Sequence, residues 1–225
     1  MKIVSLNIGQ RKEQPWRNGT FTAIHKEAVT GALQLTETGL QGDEQVDTKN
    51  HGGEEKAVLI LPSNAYMRFE ISEPYGFLGE NLTIDDIDEA QVCLGDRLQI
   101  GSVLLEVTQP RSPCWKLDAL AADNTNWQTG KFLQAYSDSG RVGFYCRVLG
   151  TGELQKGQSV TWLTRNKDSN KDKKYPKITI QKLFLAKHKP STDKDWCLLE
   201  KALEHPALSK AWQNQLMHLL QQRHP

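Results

Sequence analysis

Two periods divide the chain. Val4, Leu6 and Ile8 alternate with Ser5 and Asn7 and stop at Gly9, which predicts a half-buried first strand. Phe21 to His25 and Ala32 to Thr36 predict two more short strands, separated by Gly31 and followed by the turn Gly39-Leu40-Gln41-Gly42. Val58-Leu59-Ile60-Leu61 is a continuous apolar run ended by Pro62, hence a buried strand, and Ser63 is placed to cap a helix running to about Glu70. Gly79 to Ile84 predicts another short strand. The two-residue turns Gly95-Asp96 and Gly101-Ser102 predict a three-strand meander from Val92 to Val107. After two helix-compatible stretches (Lys116 to Ala122 and Asn126 to Tyr136), Val142, Phe144, Cys146 and Val148 share one face of a strand. Ser159 to Leu163 is the last strand. Many short antiparallel strands with few helices predict a mainly β fold, a barrel or a sandwich.

Beyond residue 175 the period changes. Ile180, Leu183 and Phe184, then Trp196, Leu199 and Leu203, then Trp212, Leu216, Leu219 and Leu220 recur at steps of three and four, the spacing of amphipathic helices. Pro190 and Pro206 break this tail into three helices, with Ser209 capping the third. Asn166 to Lys174 contains no apolar residue and reads as a linker. The expected organisation is therefore residues 1–165 as a β domain, 166–175 as linker and 176–225 as a small three-helix domain. A unit of ~50 residues is near the lower limit for independent folding, so the tail is expected to dock on the β domain or on a second subunit of a homodimer.

Composition narrows the partners. Against 28 Lys+Arg stand 27 Asp+Glu, a net charge of +1, which gives no electrostatic reason to expect nucleic acid or an anionic membrane. The four cysteines, Cys93, Cys114, Cys146 and Cys197, lie far apart, without the short paired spacing of a disulfide framework or a zinc knuckle. With no run of eighteen apolar residues and no small-residue cleavage site after the first strand, a soluble cytoplasmic protein is expected. Cys197, His205 and His218 lack metal-ligand spacing and read as structural or solvated.

One stretch carries candidate chemistry. In Gln109-Pro110-Arg111-Ser112-Pro113-Cys114-Trp115 two prolines fix φ and push the residues before them out of the helical region, so the thiol of Cys114 sits on a stiff, extended segment. Arg111 brings a permanent positive charge and can hold an anion by paired hydrogen bonds. A second candidate is the polar segment from Gly42 to Gly53, which cannot be core. Its end places His51, the backbone N–H groups of Gly52 and Gly53, and Lys56 where they can meet a ligand, although the same glycines can simply shape a turn. Asp43 and Asn81 stand equally between facing a ligand and holding a loop shut.

Taken in order, Gly42-Asp43, His51-Gly52-Gly53, Gly79-Glu80-Asn81-Leu82, Gly95-Asp96 and Pro110-Arg111-Ser112-Pro113-Cys114 resemble the MOSC domain family. The resemblance implies a β-barrel that binds a molybdenum cofactor (molybdopterin), with Cys114 as the protein's ligand to molybdenum. It also implies reduction of N-hydroxylated compounds such as 6-hydroxylaminopurine, with electrons from a separate flavoprotein. Arg111, Lys56, His51, Gly52, Gly53, Asn81 and Asp43 are the expected cofactor contacts. Two other classes use the same residues: a sulfur carrier with a persulfide on Cys114, and a non-catalytic cofactor-binding module.

Overall fold

The computed structural model describes residues 1–17, 19–46, 52–164 and 175–223. Among the described residues thirteen strands come first to last as β1 (Lys2–Gly9), β2 (Lys12–Gln14), β3 (Thr20–Thr22), β4 (Lys26–Ala28), β5 (Ala32–Thr36), β6 (Gly39–Leu40), β7 (Val58–Pro62), β8 (Leu82–Asp85), β9 (Arg97–Ile100), β10 (Val103–Pro110), β11 (Phe144–Gly150), β12 (Gly152–Gln155) and β13 (Thr161–Thr164). Helix α1 (Asn64–Arg68) joins β7 to β8. Helices α2 (Trp115–Asn124) and α3 (Lys131–Asp138) lie between β10 and β11, and α4 (Ile180–His188), α5 (Asp193–Leu203) and α6 (Lys210–Arg223) form the tail. No helix among the described residues is long and apolar enough to cross a membrane.

Eight strands form one sheet in the order β13-β9-β10-β11-β7-β8-β1-β4. Every pairing in it is antiparallel except β7 with β8, whose crossover carries α1. The barrel expected from the sequence is thus a rolled sheet rather than a continuous closed ladder. Its seam is the isolated bridge of Lys2 with Ser159, flanked by Ile3 N–H to Gln158 O and Val160 N–H to Met1 O, both at 3.0 Å. The reason is local: Gly157 turns the chain and β13 itself pairs with β9, so only the residues before β13 reach β1.

The core has two compartments, and β7 faces both. Val58 and Ile60 point into the interior of the rolled sheet with Ile3, Leu82, Leu98, Leu105, Phe144 and Cys146. Leu61 points the other way, into a second compartment with Phe77, Phe132, Tyr136, Leu183, Leu199, Trp212 and Leu216. A strand covered on both faces reads as an unbroken apolar run, which is what Val58 to Leu61 is.

The apolar stripes of the tail therefore pack on the β domain of the same chain. Leu199 and Leu216 are fully buried and Trp212 is 1% exposed. Polar contacts fix the docking: Ser209 Oγ donates to Gln109 Oε1 at 2.5 Å, and Arg147 Nη2 donates to Ala207 O at 2.6 Å. The expected linker lies outside the described residues except for Tyr175. Val92 to Leu94, expected as the first strand of a meander, instead form a turn in which Asp96 Oδ2 accepts from Cys93 N–H at 2.9 Å. Two of their backbone groups bind the tail, through Leu94 N–H to Ile178 O and Ile180 N–H to Val92 O. Ser63 does not cap α1, because its hydroxyl donates to Asp85 on β8.

Candidate active site

Strand β10 ends at Pro110, paired with Phe144 of β11, and one more ladder bond, Arg111 N–H to Gly143 O at 3.0 Å, carries the chain past the sheet. Gly143 has φ +80°, and a Cβ there would lie 2.9 Å from Ile60 O, so only glycine lets the two strands meet behind Arg111. Ser112 and Pro113 then form an extended strap. Cys114 is the residue before α2, with φ −125° and ψ 169°, and its side chain does not cap the helix. The thiol is half-buried and opens onto a cavity.

That cavity encloses about 90 Å³ and is lined by residues from six stretches, among them Lys26, Asp43, Lys56, Arg111, Cys114 and Tyr145. Small-molecule sites usually run to ~300–1,000 Å³, so the enclosed part takes one end of a ligand. Its outer rim reaches Val46, next to residues 47–51, which are not described. Lys26, Lys56, Arg111 and Lys116 outnumber the carboxylates Asp43 and Glu44, which makes the lining cationic.

Lys26 and Asp43 form an ion pair with side chains 9% and 4% exposed. Burial lowers the Lys26 pKa, and the adjacent Asp43 opposes this. Asp43 Oδ1 also accepts from Gly9 N–H at 2.7 Å, while Oδ2 accepts from Asn81 Nδ2 at 2.8 Å. Asn81 Oδ1 in turn accepts from Leu59 N–H at 3.1 Å. Asp43 and Asn81 thus tie their own stretches to those of Gly9, Lys26 and Leu59 and shape the wall of the cavity.

Arg111 is 5% exposed. Its Nη1 donates to Leu78 O, and Nη2 lies 3.3 Å from where a Cβ on Gly79 would stand, so the guanidinium is clamped between the Gly79 turn and the cavity. The thiol of Cys114 and the hydroxyls of Tyr136 and Tyr145 surround it, and its pKa is raised in spite of burial. The Tyr145 pKa is raised too, by burial first, with Arg111 opposing.

Of the residues expected at the site, Cys114, Arg111, Lys56, Asn81 and Asp43 surround this one cavity. Gly53, with φ +93°, instead starts the short turn Glu54–Lys56 and accepts Lys56 N–H at 2.9 Å, and neither it nor Gly52 is among the lining residues. His51 lies outside the described residues. Lys26, Ser112, Lys116 and Tyr145 line the cavity without having been singled out. For Tyr145 a signal existed: the alternation that buries Phe144 and Cys146 sends the residue between them to the other face. Lys26 had none, since nothing in its neighbours marks a lysine that will be buried against Asp43.

Among the described residues no group of three or more His, Cys, Asp or Glu side chains is placed to hold a bare metal ion. A single soft thiolate beside a cationic slot does fit a metal that arrives with other sulfur ligands on an anionic carrier.

Residues 47–161 match the MOSC domain family model. The chain is 32% identical over 209 residues to protein YiiM of Escherichia coli (strain K12), covering 89% of this chain and 85% of that protein. It is 30% identical over 197 residues to a protein named reductase in Gibberella moniliformis, a match covering 83% of this chain and 32% of the longer fungal protein. The crystal structure of YiiM from Geobacillus stearothermophilus superposes with a TM-score of 0.71 at 26% identity, covering 97% of this chain and 98% of that one. The matched segment includes Asn81, Arg111 and Cys114 and most of the cavity they line, and on this ground the chain belongs to the MOSC domain family.

Proposed function

We propose that this chain is a molybdenum-cofactor-dependent reductase that removes oxygen from N-hydroxylated compounds such as 6-hydroxylaminopurine. The observation that carries the reading is the half-buried Cys114 thiol at the edge of a slot lined by Lys26, Lys56, Arg111 and Lys116. Membership of the MOSC family and the reductase name of the fungal relative support it.

Cys114 Sγ would hold the metal end of the cofactor, and Lys56 and Lys116 would face its anionic parts. Arg111, tied to Leu78, adds fixed positive charge at the base of the slot. When bound, such a cofactor supplies the two-electron redox chemistry. The net change converts R–NH–OH, two electrons and two protons to R–NH₂ and water, with cleavage of the N–O bond. The electrons come from a separate flavoprotein. Tyr145, whose side chain lines the slot beside Arg111, donates a proton from its hydroxyl to the departing oxygen.

The test is the full chain made in a host that synthesises the cofactor, with molybdenum measured per chain and 6-hydroxylaminopurine turnover followed with chemically reduced flavin. Stoichiometric molybdenum and turnover, both lost in Cys114→Ala, are the expected result. A cyanide-labile sulfur on Cys114 without molybdenum would replace this reading with the sulfur carrier. Turnover surviving in Cys114→Ala would remove the ligand assignment.

A further inference from the structure

The strap Ser112-Pro113 has a second side. Behind it, between α3 and α4, lies a cleft of about 500 Å³, well inside the size range of small-molecule sites. Pro113, Leu133 and Phe184 supply apolar wall, and Lys187 and Lys189 bring positive charge to one rim. Ser112 lines both this cleft and the Cys114 cavity.

Two groups in the cleft have unmet needs. Ser112 Oγ is buried and has no hydrogen-bond partner. A buried hydroxyl without a partner is destabilising, and one beside an open cleft is placed to bind what enters it. Lys187 Nζ sits 4.5 Å above the centre of the Trp212 ring. Burial lowers its pKa, and no carboxylate offsets this. Asp138, the acidic residue of the cleft, is engaged within its rim by Lys189 at 2.5 Å, with His188 at 3.8 Å, which leaves Lys187 as the lysine of the cleft not paired with it. A partly desolvated ammonium held by an aromatic face has one kind of natural complement, an oxyanion.

We propose that this cleft is a second ligand site, distinct from the Cys114 cavity, which binds the phosphate or carboxylate group of a small molecule, with Lys187 Nζ as counter-charge and Ser112 Oγ as donor. The site is part of the tail's docking surface, so it exists only when α4 lies against the strap. It does not depend on the reductase reading, because it needs neither the cofactor nor turnover.

Titration of the cofactor-free full chain with inorganic phosphate, at constant ionic strength against chloride and followed by calorimetry and amide NMR shifts, tests this. The expected result is saturable binding with shifts at Ser112, Leu133 and Lys187. Lys187→Met, which keeps an unbranched stem on Trp212, should weaken binding at least tenfold, and Lys182→Met, at an exposed position of the same helix that does not line the cleft, should leave it within about twofold. Should Lys187→Met fail to fold, Ser112→Ala, which only removes the orphan hydroxyl, should still weaken binding severalfold. A purine nucleoside monophosphate binding more tightly than both phosphate and the nucleoside would identify the anion as the tail of a larger ligand, and equal affinity would identify a free anion; either supports the site. No saturable effect beyond chloride, or equal binding by wild type, Lys187→Met and Ser112→Ala, overturns it.

Discussion

On the Asp43 side of the cavity the polar contacts end inside the protein: Asp43 meets Lys26, Gly9 and Asn81, and Asn81 meets Leu59. On the Cys114 side the thiol caps nothing and opens onto the cavity. Both sides come from short polar motifs of the same kind. The difference lies in where the hydrogen bonds go, and it separates residues that build a wall from residues that await a guest.

The most disruptive way to break this comparison is Asp43→Ala. It leaves Lys26 buried without its counter-charge and frees Asn81 Nδ2, so unfolding in urea should show a loss of about 3–5 kcal/mol in cofactor-free protein. A loss below about 1 kcal/mol would mean that Asp43 faces a ligand after all.

Next in size is a pH effect behind the strap. Glu89 is 1% exposed, its Oε1 accepts from Gly143 N–H at 2.6 Å, and burial pushes its pKa from 4.5 up to about 7. Between those values the folded chain holds a proton that the unfolded chain has released. The contribution is complete below pH 4.5 and is lost as pH rises through 7, amounting to about 3 kcal/mol. Glu89→Gln keeps the acceptor and removes the titration, so the difference in unfolding free energy between wild type and variant should change by that amount from pH 4.5 to 8. A pH-independent difference would show that Glu89 is already charged in the fold.

The smallest expected effect on stability sharpens the comparison from the other side. Cys114→Ala should change unfolding free energy by less than about 0.5 kcal/mol without cofactor, since the thiol is half-buried and caps no helix. Cys146→Ala removes a fully buried sulfur from the sheet interior and should cost about 1–2 kcal/mol, which thermal denaturation of the two variants side by side would resolve.

Much of the fold was legible because its signals are local. Alternation around Phe144 and Cys146, the unbroken run at Val58 and the three-and-four spacing of Trp212 and Leu216 each follow from which faces are covered. The position of Cys114 was legible too, since two prolines dictate an extended strap whatever surrounds it. What could not be read was partnership across distance. Nothing near Val92 says that its carbonyl will accept from Ile180, and nothing near Lys26 says that Asp43 will be buried against it. The spacing of Gly52 and Gly53 suits a ligand cradle and a short helical turn equally well, and the described chain uses Gly53 for the turn.

The seam between Lys2 and Ser159 sets a timetable for folding. Its two partners are separated by most of the β domain, so the loop that must close between them is long, and long-range pairing of this kind is slow. On a ribosome, the first strand emerges early and waits for its neighbour at the seam until residues 157–160 have been made. During that wait, the Met1 and Ile3 backbone groups that later pair with residues 157–160 are bonded to water, and the apolar interior beneath them is open on that side.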